Sequence, residues 1–449
     1  MGLSSFLSHH SSVWAVTRRH RACVSHNTLQ RYDTNTHEPL YMIMRRNLYG
    51  TPNAARNYTQ KRDKFILTYF NTDGWACTRS RMDPCFFLII RDGLRSWMLI
   101  HTDDCDLASE SKLHTEMIFT AMHNEWPCKE VPHTYMLGVK RTLTVHEDGN
   151  RTLTMSMESY IEAMYETFKE FIPTKHQTTP CEHNMLLTLQ DDTPPDEVHR
   201  VLKRGYQRAV GMLLWISRCM SHPSLYAMGQ LCKLMSKPSE KAWEHAMILI
   251  AWLYQNKTLG LNYHSAQNSH PIFFTDASNK GDPKDSKRAY GFCCIWVGGS
   301  VIASARKLDH SSSASAANEY MAMSNASKQA VWIRQLFVEL GLAKLVTKPT
   351  IMLADNQTAN QWVCDEKITQ GNMWILQCYH YVKETHNDKQ ILVVYCPTKL
   401  NIADLFTKGV PREVFDFLVP FLCGVRPIVE LLKMIKDQGG QQQSLQFTT

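Results

Sequence analysis

Apolar positions recur along this chain with two different periods, and the switches between them outline the architecture. Continuous apolar runs stand at residues 86–90 and 97–100, and the Arg91-Asp92-Gly93 step between them is a hairpin signal. From Tyr41 to about Val145 such runs alternate with a helical segment. Residues 155–172 and 201–220 carry helical spacing, and the stretch 173–195 between them, rich in Thr, Pro and His, reads as a linker or long loop. Residues 243–254 read as a buried helix, and 265–269 form a polar break.

After that break the order is clearest. Residues 272–275 predict a strand ending at Asp276, and 289–297 and 301–305 two more strands joined across Gly298-Gly299-Ser300. A long helix follows over 316–340, with Tyr320, Met323, Ile333, Leu336, Phe337 and Leu340 at helical spacing and Gly341 as its C-cap. Residues 351–354 predict a strand ending at Asp355, and 391–396 a last strand before Pro397 and a short helix from Ile402. Three strands, a helix, a strand, a helix and a strand predict a mixed sheet with helices against it.

Composition narrows this picture. A length of 449 residues favours two or three domains. Hydrophobic residues at 44% and charged residues at 20% fit a soluble globular protein. The longest apolar stretch, 246–254, is far short of the ~20 residues that a membrane span needs, so no membrane partner is expected. Fourteen cysteines are scattered without a CxxC pair, which argues against a zinc site or a disulfide framework and for an intracellular protein, in cytoplasm or nucleus. The net charge of +7 is compatible with a nucleic-acid partner without requiring one. The first acidic residue is Asp33, so the Ser/Arg/His-rich opening is compatible with a transit peptide; residues 1–39 are expected to be irregular. The Gln-rich end after Gly439 is expected to be disordered.

Four acids stand at informative places in the last domain. Asp276 and Asp355 end strands, Glu319 lies in the first turns of the long helix, and Asp404 lies in the first turn of the closing helix. Strand ends and helix starts converge at one edge of such a sheet. Carboxylates gathered there repel one another unless cations compensate, and hard divalent ions suit oxygen ligands. A pair of ions ~3.5–4 Å apart can activate a water and stabilise the leaving 3′-oxygen of an in-line phosphodiester displacement.

The words around these acids resemble the ribonuclease H domain of copia-type LTR retrotransposon Pol polyproteins. Thr275-Asp276-Ala277-Ser278, Asn318-Glu319-Tyr320-Met321-Ala322-Met323, Ala354-Asp355-Asn356-Gln357-Thr358-Ala359 and Asn401-Ile402-Ala403-Asp404-Leu405-Phe406-Thr407-Lys408 are similar to that family's four motifs, in order. Upstream, Leu48-Tyr49-Gly50 with Ala54, Arg56 and Tyr58, then Asp83-Pro84-Cys85-Phe86, Tyr135-Met136-Leu137-Gly138-Val139 and Tyr206 to Gly211, resemble its reverse transcriptase. The resemblance implies α/β and α+β architecture: a partial reverse-transcriptase palm over 40–145, a helical thumb- or connection-like region over 146–265, a ribonuclease H-like mixed sheet over 268–415, and a tail over 416–449.

It further implies an endonuclease that cleaves the RNA strand of RNA–DNA hybrids. Asp276, Glu319, Asp355 and Asp404 would hold two Mg2+ ions, or Mn2+ in their place. Lys280, Lys284, Lys287, Arg288, Arg306, Lys307, Asn356, Gln357 and Arg56 are candidate nucleic-acid contacts. Self-association or association with full-length element proteins is a further implied partnership. His101-Thr102-Asp103-Asp104 resembles the Y-V-D-D hairpin of the polymerase, so Asp103 and Asp104 are a vestigial metal-binding pair. The first palm motif, an Asp followed by x-x-x-A-F, is not found, which implies that polymerase activity is lost. The alternative is a non-catalytic nucleic-acid-binding remnant of a degenerate element. An integrase or transposase shares the fold and the metals, but the four acids sit in ribonuclease words and no zinc-binding His/Cys module accompanies them.

Overall fold

The computed structural model describes residues 10–16, 52–131, 134–189, 193–267, 270–310, 312–365 and 373–438. The Leu48-Tyr49-Gly50 word, most of the opening segment and the Gln-rich end lie outside them. No helix among the described residues is long and apolar enough to cross a membrane. The chain divides into two compact units, Ser8–His133 and the described chain from Thr134 onward.

The first unit is a six-stranded sheet in the order β2-β3-β4-β5-β1-β6, with β2 (Trp75–Arg79) at one edge, backed by α1 (Pro52–Tyr69) and α2 (Lys112–Glu125). Strands β3 (Phe86–Arg91) and β4 (Leu94–His101) form the expected hairpin, with Asp92 at φ +51 and Gly93 at φ +74. Two left-handed residues make the turn whose twist matches its strands. β4 then turns back through Thr102 and Asp103 into β5 (Asp104–Ser109). One part of the opening segment departs from expectation: β1 (His10–Val16) is a strand, paired antiparallel between β5 and β6 (Cys128–Val131). Its short Ser-Ser-Val-Trp-Ala-Val run carries too few residues to show a period, and the ladder on both sides determines its conformation.

In the second unit, residues 146–265 are not purely helical. β8 (Val139–Val145), β9 (Arg151–Ser156) and β10 (Leu261–His264) pair antiparallel, with the short β7 (Tyr135–Met136) at the edge. The Thr-Leu-Thr-Met alternation over 152–155 has the period of a strand, which the helical spacing that follows it obscures. The helices are α3 (Glu158–Phe168), α4 (Pro195–Lys203), α5 (Tyr206–Cys219), α6 (Leu225–Cys232) and α7 (Glu240–Gln255). Ten residues of α7 are buried, consistent with its nearly all-round apolar sequence.

The remaining sheet runs β13-β12-β11-β14-β15. β11 (Ile272–Gly281), β12 (Arg288–Trp296) and β13 (Gly299–Lys307) are antiparallel, while β14 (Thr350–Ala354) and β15 (Ile391–Tyr395) run parallel to β11. Both faces are covered. Phe273, Phe292 and Cys294 pack on one side with α8 (Ser315–Glu339), α9 (Gln357–Cys364) and α10 (Leu376–Asn387). Ile272, Phe274, Cys293 and Ile295 pack on the other with α5, α6 and α7. The adjacent cysteines 293 and 294 therefore point to opposite faces of a strand, as its two-residue period requires. Residues 416–438, expected as tail, are helical: α11 (Arg412–Leu422) and α12 (Ile428–Gln438) bury Leu418, Phe421, Leu422, Leu431, Leu432 and Ile435 in that same core. Their apolar residues fall at helical spacing, so burial there stabilises the last two helices.

One glycine determines how the chain closes over this sheet. Gly291 on β12 lies opposite Asp276 on β11, and a Cβ there would come 2.3 Å from Cβ of Phe406. Phe406 ends the 3-10 helix Ile402–Phe406, which carries Asp404. A Gly291→Ala chain should lose about 1–3 kcal/mol of stability to overpacking in thermal unfolding. Gly211→Ala on α5, where a Cβ meets nothing within 4 Å, should leave stability equal or higher by up to about 1 kcal/mol.

Candidate metal centre

Parallel pairing of β11 and β14 in the register Thr275↔Ala354 brings the next residue of each, Asp276 and Asp355, to the same sheet edge. The 3-10 helix packed over Gly291 delivers Asp404 to that edge. Carboxylate oxygens of Asp276, Asp355 and Asp404 lie within 4.8 Å of one another. Glu319, in the first turns of α8, reaches the same edge from the helix layer, and its Oε2 accepts a 3.0 Å hydrogen bond from the Ala277 amide. Asp276, Glu319 and Asp404 are only 4%, 5% and 5% exposed. Just beyond Asp276 the ladder is interrupted between Ala277 and Gly281, and this bulge carries Ser278 and Lys280 along the rim of a cleft of about 350 Å³.

Neighbouring side chains hold the acids in place. The fully buried Asn401 donates through Nδ2 to the Thr275 carbonyl at 3.0 Å and accepts from the Ala403 amide at 3.1 Å, clamping the 3-10 helix to the end of β11. Thr407 donates its hydroxyl proton to the Asp276 carboxylate. Lys408 Nζ lies 2.8 Å from Asp404 Oδ1. Asn356 caps α9, accepting from the Ala359 amide at 3.0 Å. Thr407, Lys408, Thr398 and Asn401 escaped the sequence reading as site residues. For Lys408 a signal was present, since a residue four beyond Asp404 lies on the same side of a helical turn.

Burial and mutual repulsion act on every acid here. Burial, and then the charge of Asp404, push Asp276 up to about 7, against the opposing pull of Lys408 and the Thr407 hydrogen bond. Burial and Asp276 push Asp355 up to about 6, restrained by Thr398 and Lys408. Burial raises Asp404 above the ordinary carboxylate range despite Lys408. Glu319 lies well above that range, through burial and then through Asp276 and Asp355. The donor set is entirely carboxylate oxygen, with no thiol or imidazole in the cluster, and one ammonium opposes four acids. Such a set suits hard divalent cations.

The other expected contacts are dispersed. Asn356 and Lys280 line the cleft, and Gln357 is exposed beside it. Lys287, Arg306 and Lys307 line a neighbouring cavity of about 420 Å³, while Lys284 and Arg288 line neither. Lys307, expected as a phosphate contact, is already engaged, 2.9 Å from Asp282 Oδ2 and 2.8 Å from Asp285 Oδ2. Lys233 reaches the same Asp282 carboxylate at 3.1 Å. Arg56 is exposed on α1 in the first unit. Asp103 and Asp104 sit at the β4–β5 turn of that unit, where partial burial and Asp103 raise Asp104. Asp63 on α1 is bound to Arg62 at 2.8 Å and Arg79 at 3.1 Å. Among the described residues, the Asp276/Asp355/Asp404 group is the one cluster of three donors that meets at metal-binding distance.

The sheet order and its acidic edge define a mixed α/β region with a carboxylate-lined site, attached to further α/β structure. Several of the curated proteins to which the chain is similar are transposon polyproteins. It is 26% identical over 381 residues to a retrovirus-related Pol polyprotein from transposon TNT 1-94 of Nicotiana tabacum, covering 83% of this chain and 27% of that protein. It is 24% identical over 379 residues to the Pol polyprotein from transposon RE2 of Arabidopsis thaliana, covering 83% and 24%. The chain thus spans about a quarter of the length of these relatives. No protein-family model matches. Among solved structures, the N-terminal RNase H domain of a Mycobacterium tuberculosis protein is 14% identical, with a TM-score of 0.24, over 33% of this chain and 96% of that one.

The raised carboxyls make stability depend on pH. A folded state with acid pKa values above those of the unfolded chain binds protons more tightly, so its stability is highest below the unfolded values, near pH 4, and falls as pH climbs through about 6 and 7. Asp276→Asn removes part of that loss. Without divalent ions, the variant should melt at the same temperature as the parent near pH 4 and several degrees higher at pH 8. Mg2+ should raise the melting point of the parent at pH 8 and leave that of the variant nearly unchanged.

Proposed function

We propose that this chain is a retroelement-derived endonuclease that hydrolyses the RNA strand of RNA–DNA hybrids with two divalent metal ions. The observation that carries this reading is the meeting of Asp276, Asp355 and Asp404 within 4.8 Å, Asp276 and Asp404 buried and Asp355 half-buried, with the buried Glu319 beside them. Asp276, Glu319, Asp355 and Asp404 would together hold the ions. Mg2+, or Mn2+ in its place, would supply Lewis-acid activation of a water and charge neutralisation at the leaving 3′-oxygen.

The chain's own groups do the rest. Thr407 and Thr398 orient the carboxylates of Asp276 and Asp355, so the ligand oxygens are in place before substrate arrives. Lys408 balances charge at Asp404. Lys280 and Asn356 line the cleft where a sugar–phosphate backbone would lie, and 2′-hydroxyl contacts there would select RNA. Water oxygen attacks phosphorus, the bond to the 3′-oxygen breaks, and that oxygen takes up a proton. The hybrid and the metal ions are the proposed partners. For the Asp103–Asp104 pair we propose no polymerase role in this chain, because the first palm motif, an Asp followed by x-x-x-A-F, is not found.

Incubation of the purified chain with an RNA–DNA hybrid in Mg2+ or Mn2+ should release RNA fragments and leave the DNA strand intact. Asp355→Asn should lower the rate by at least about a hundredfold. Hybrid binding with no cleavage by the parent in either metal would overturn the catalytic reading and leave a nucleic-acid-binding remnant.

A further inference from the structure

One wall of the acidic cleft does not come from the ribonuclease-like sheet. Asn184, from the stretch that the sequence presents as a linker, lines it together with Asp276, Lys280 and Lys408. The same residue lines the neighbouring cavity, so the two share Asn184, Ser278, Lys280 and Lys408 and form one groove. Charge changes sign along it. The acids crowd one end, and Lys287 and Arg306 stand at the other, where Lys233 and Lys307 are already paired with Asp282.

The segment that carries Asn184 is strapped down. The Asn184 amide donates to the Gly409 carbonyl at 2.8 Å, directly after Lys408. Tyr226 donates its hydroxyl to the Met185 carbonyl at 2.6 Å, and Lys233 donates to that of Leu187 at 2.9 Å. The Leu187 amide donates to Gln230 Oε1 at 3.1 Å. Gly409 admits this approach, since a Cβ there would lie 2.2 Å from the Glu182 carbonyl oxygen. Cys181, Met185 and Leu187 are buried, whereas Asn184 is exposed. Its carboxamide makes one contact among the described residues, a 3.4 Å approach to His183 Nδ1. Its backbone is left-handed, at φ +55. Anchoring thus rests on the backbone and on the buried neighbours, and leaves the Asn184 side chain at the junction of the acidic and basic ends.

We propose that residues 181–187 are the outer wall of the substrate groove and that Asn184 is a substrate-contacting residue, donating to the sugar–phosphate backbone of the RNA strand as it leaves the acids for the basic end. The proposal rests on the nuclease reading of the cleft. An acidic end that takes a phosphate through cations and a basic end that takes one directly suit successive phosphates of one strand. A carboxamide between them offers donors to a phosphate oxygen or a 2′-hydroxyl. The segment before the sheet would then belong to the site, and residues 268–415 alone would grip hybrid poorly.

Asn184→Gly and Asn184→Asp in the full chain test this. Glycine keeps the left-handed backbone without strain and removes only the carboxamide. We expect KM for hybrid to rise about five- to tenfold, the weight of one lost hydrogen bond to a charged group, with a much smaller change in kcat and an unchanged melting temperature. Aspartate should raise KM further at low salt, and by less at high salt, where the added repulsion is screened. Parent-like KM for both variants in a chain that cleaves hybrid would overturn the proposal. Hybrid binding in the Asp355→Asn background separates the two readings. If the parent does not cleave, weaker binding by Asn184→Asp there still supports the groove, and unchanged binding refutes it.

Discussion

Four carboxyl groups in one buried pocket oppose folding, and the rest of the second unit is organised around tolerating them. Coulomb repulsion between such groups is strong where water is excluded. Packing supplies the compensation: a sheet covered on both faces, a glycine that lets the closing helix lie on β12, and an asparagine that ties that helix to β11. Asp276 and Asp355 respond by holding protons up to about pH 7 and 6, Glu319 and Asp404 are raised as well, and Lys408 supplies the one positive charge in direct contact. In the proposed reading such a pocket would exchange protons for divalent cations, and its electrostatic discomfort would be the source of its affinity for them.

The sheet that carries the acids does not stand alone. Its second face, formed by Ile272, Phe274, Cys293 and Ile295, shares a core with Trp243, Ala246, Leu249 and Ile250 of α7 and with the two C-terminal helices. Residues from before and after the sheet thereby become part of its support. The strap at 181–187 extends the same logic from the core to the surface, since its anchors are α6 side chains and the backbone at Gly409. Stability therefore draws on chain segments that sequence boundaries would separate, and in the proposed groove substrate grip would do the same.

The first unit offers a contrast within one molecule. Asp103 and Asp104 are close in sequence and share a turn, but among the described residues no further carboxylate converges on them to build a cation site. Asp63 is neutralised by two arginines. Adjacency in sequence places two carboxylates side by side there, whereas the cluster of the second unit draws its three from strands and a helix far apart in sequence.

The local words determined much of this protein. Alternation and helical spacing located the strands at 288–296, 299–307, 350–354 and 391–395 and the long helix at 315–339 within a residue or two, because each is long enough to show its period, whereas the one helix expected between the last two strands is two, and β11 runs on past Asp276 to Gly281. The four acids could be named as a set because the local words around them resemble one family's motifs. Other features are invisible along the chain. The strand at 151–156 runs straight into a helix, β1 is too short to show a period, and the helices beyond 416 looked like a tail until the core claimed their apolar faces. Lys307 became an ion-pair hub only because Asp282 and Asp285 fold back beside it. Which residues are acidic, apolar or permissive is written locally. Which of them meet depends on strand register, on the close approach over Gly291 and on the path of the linker, and these are set by packing between segments far apart in sequence.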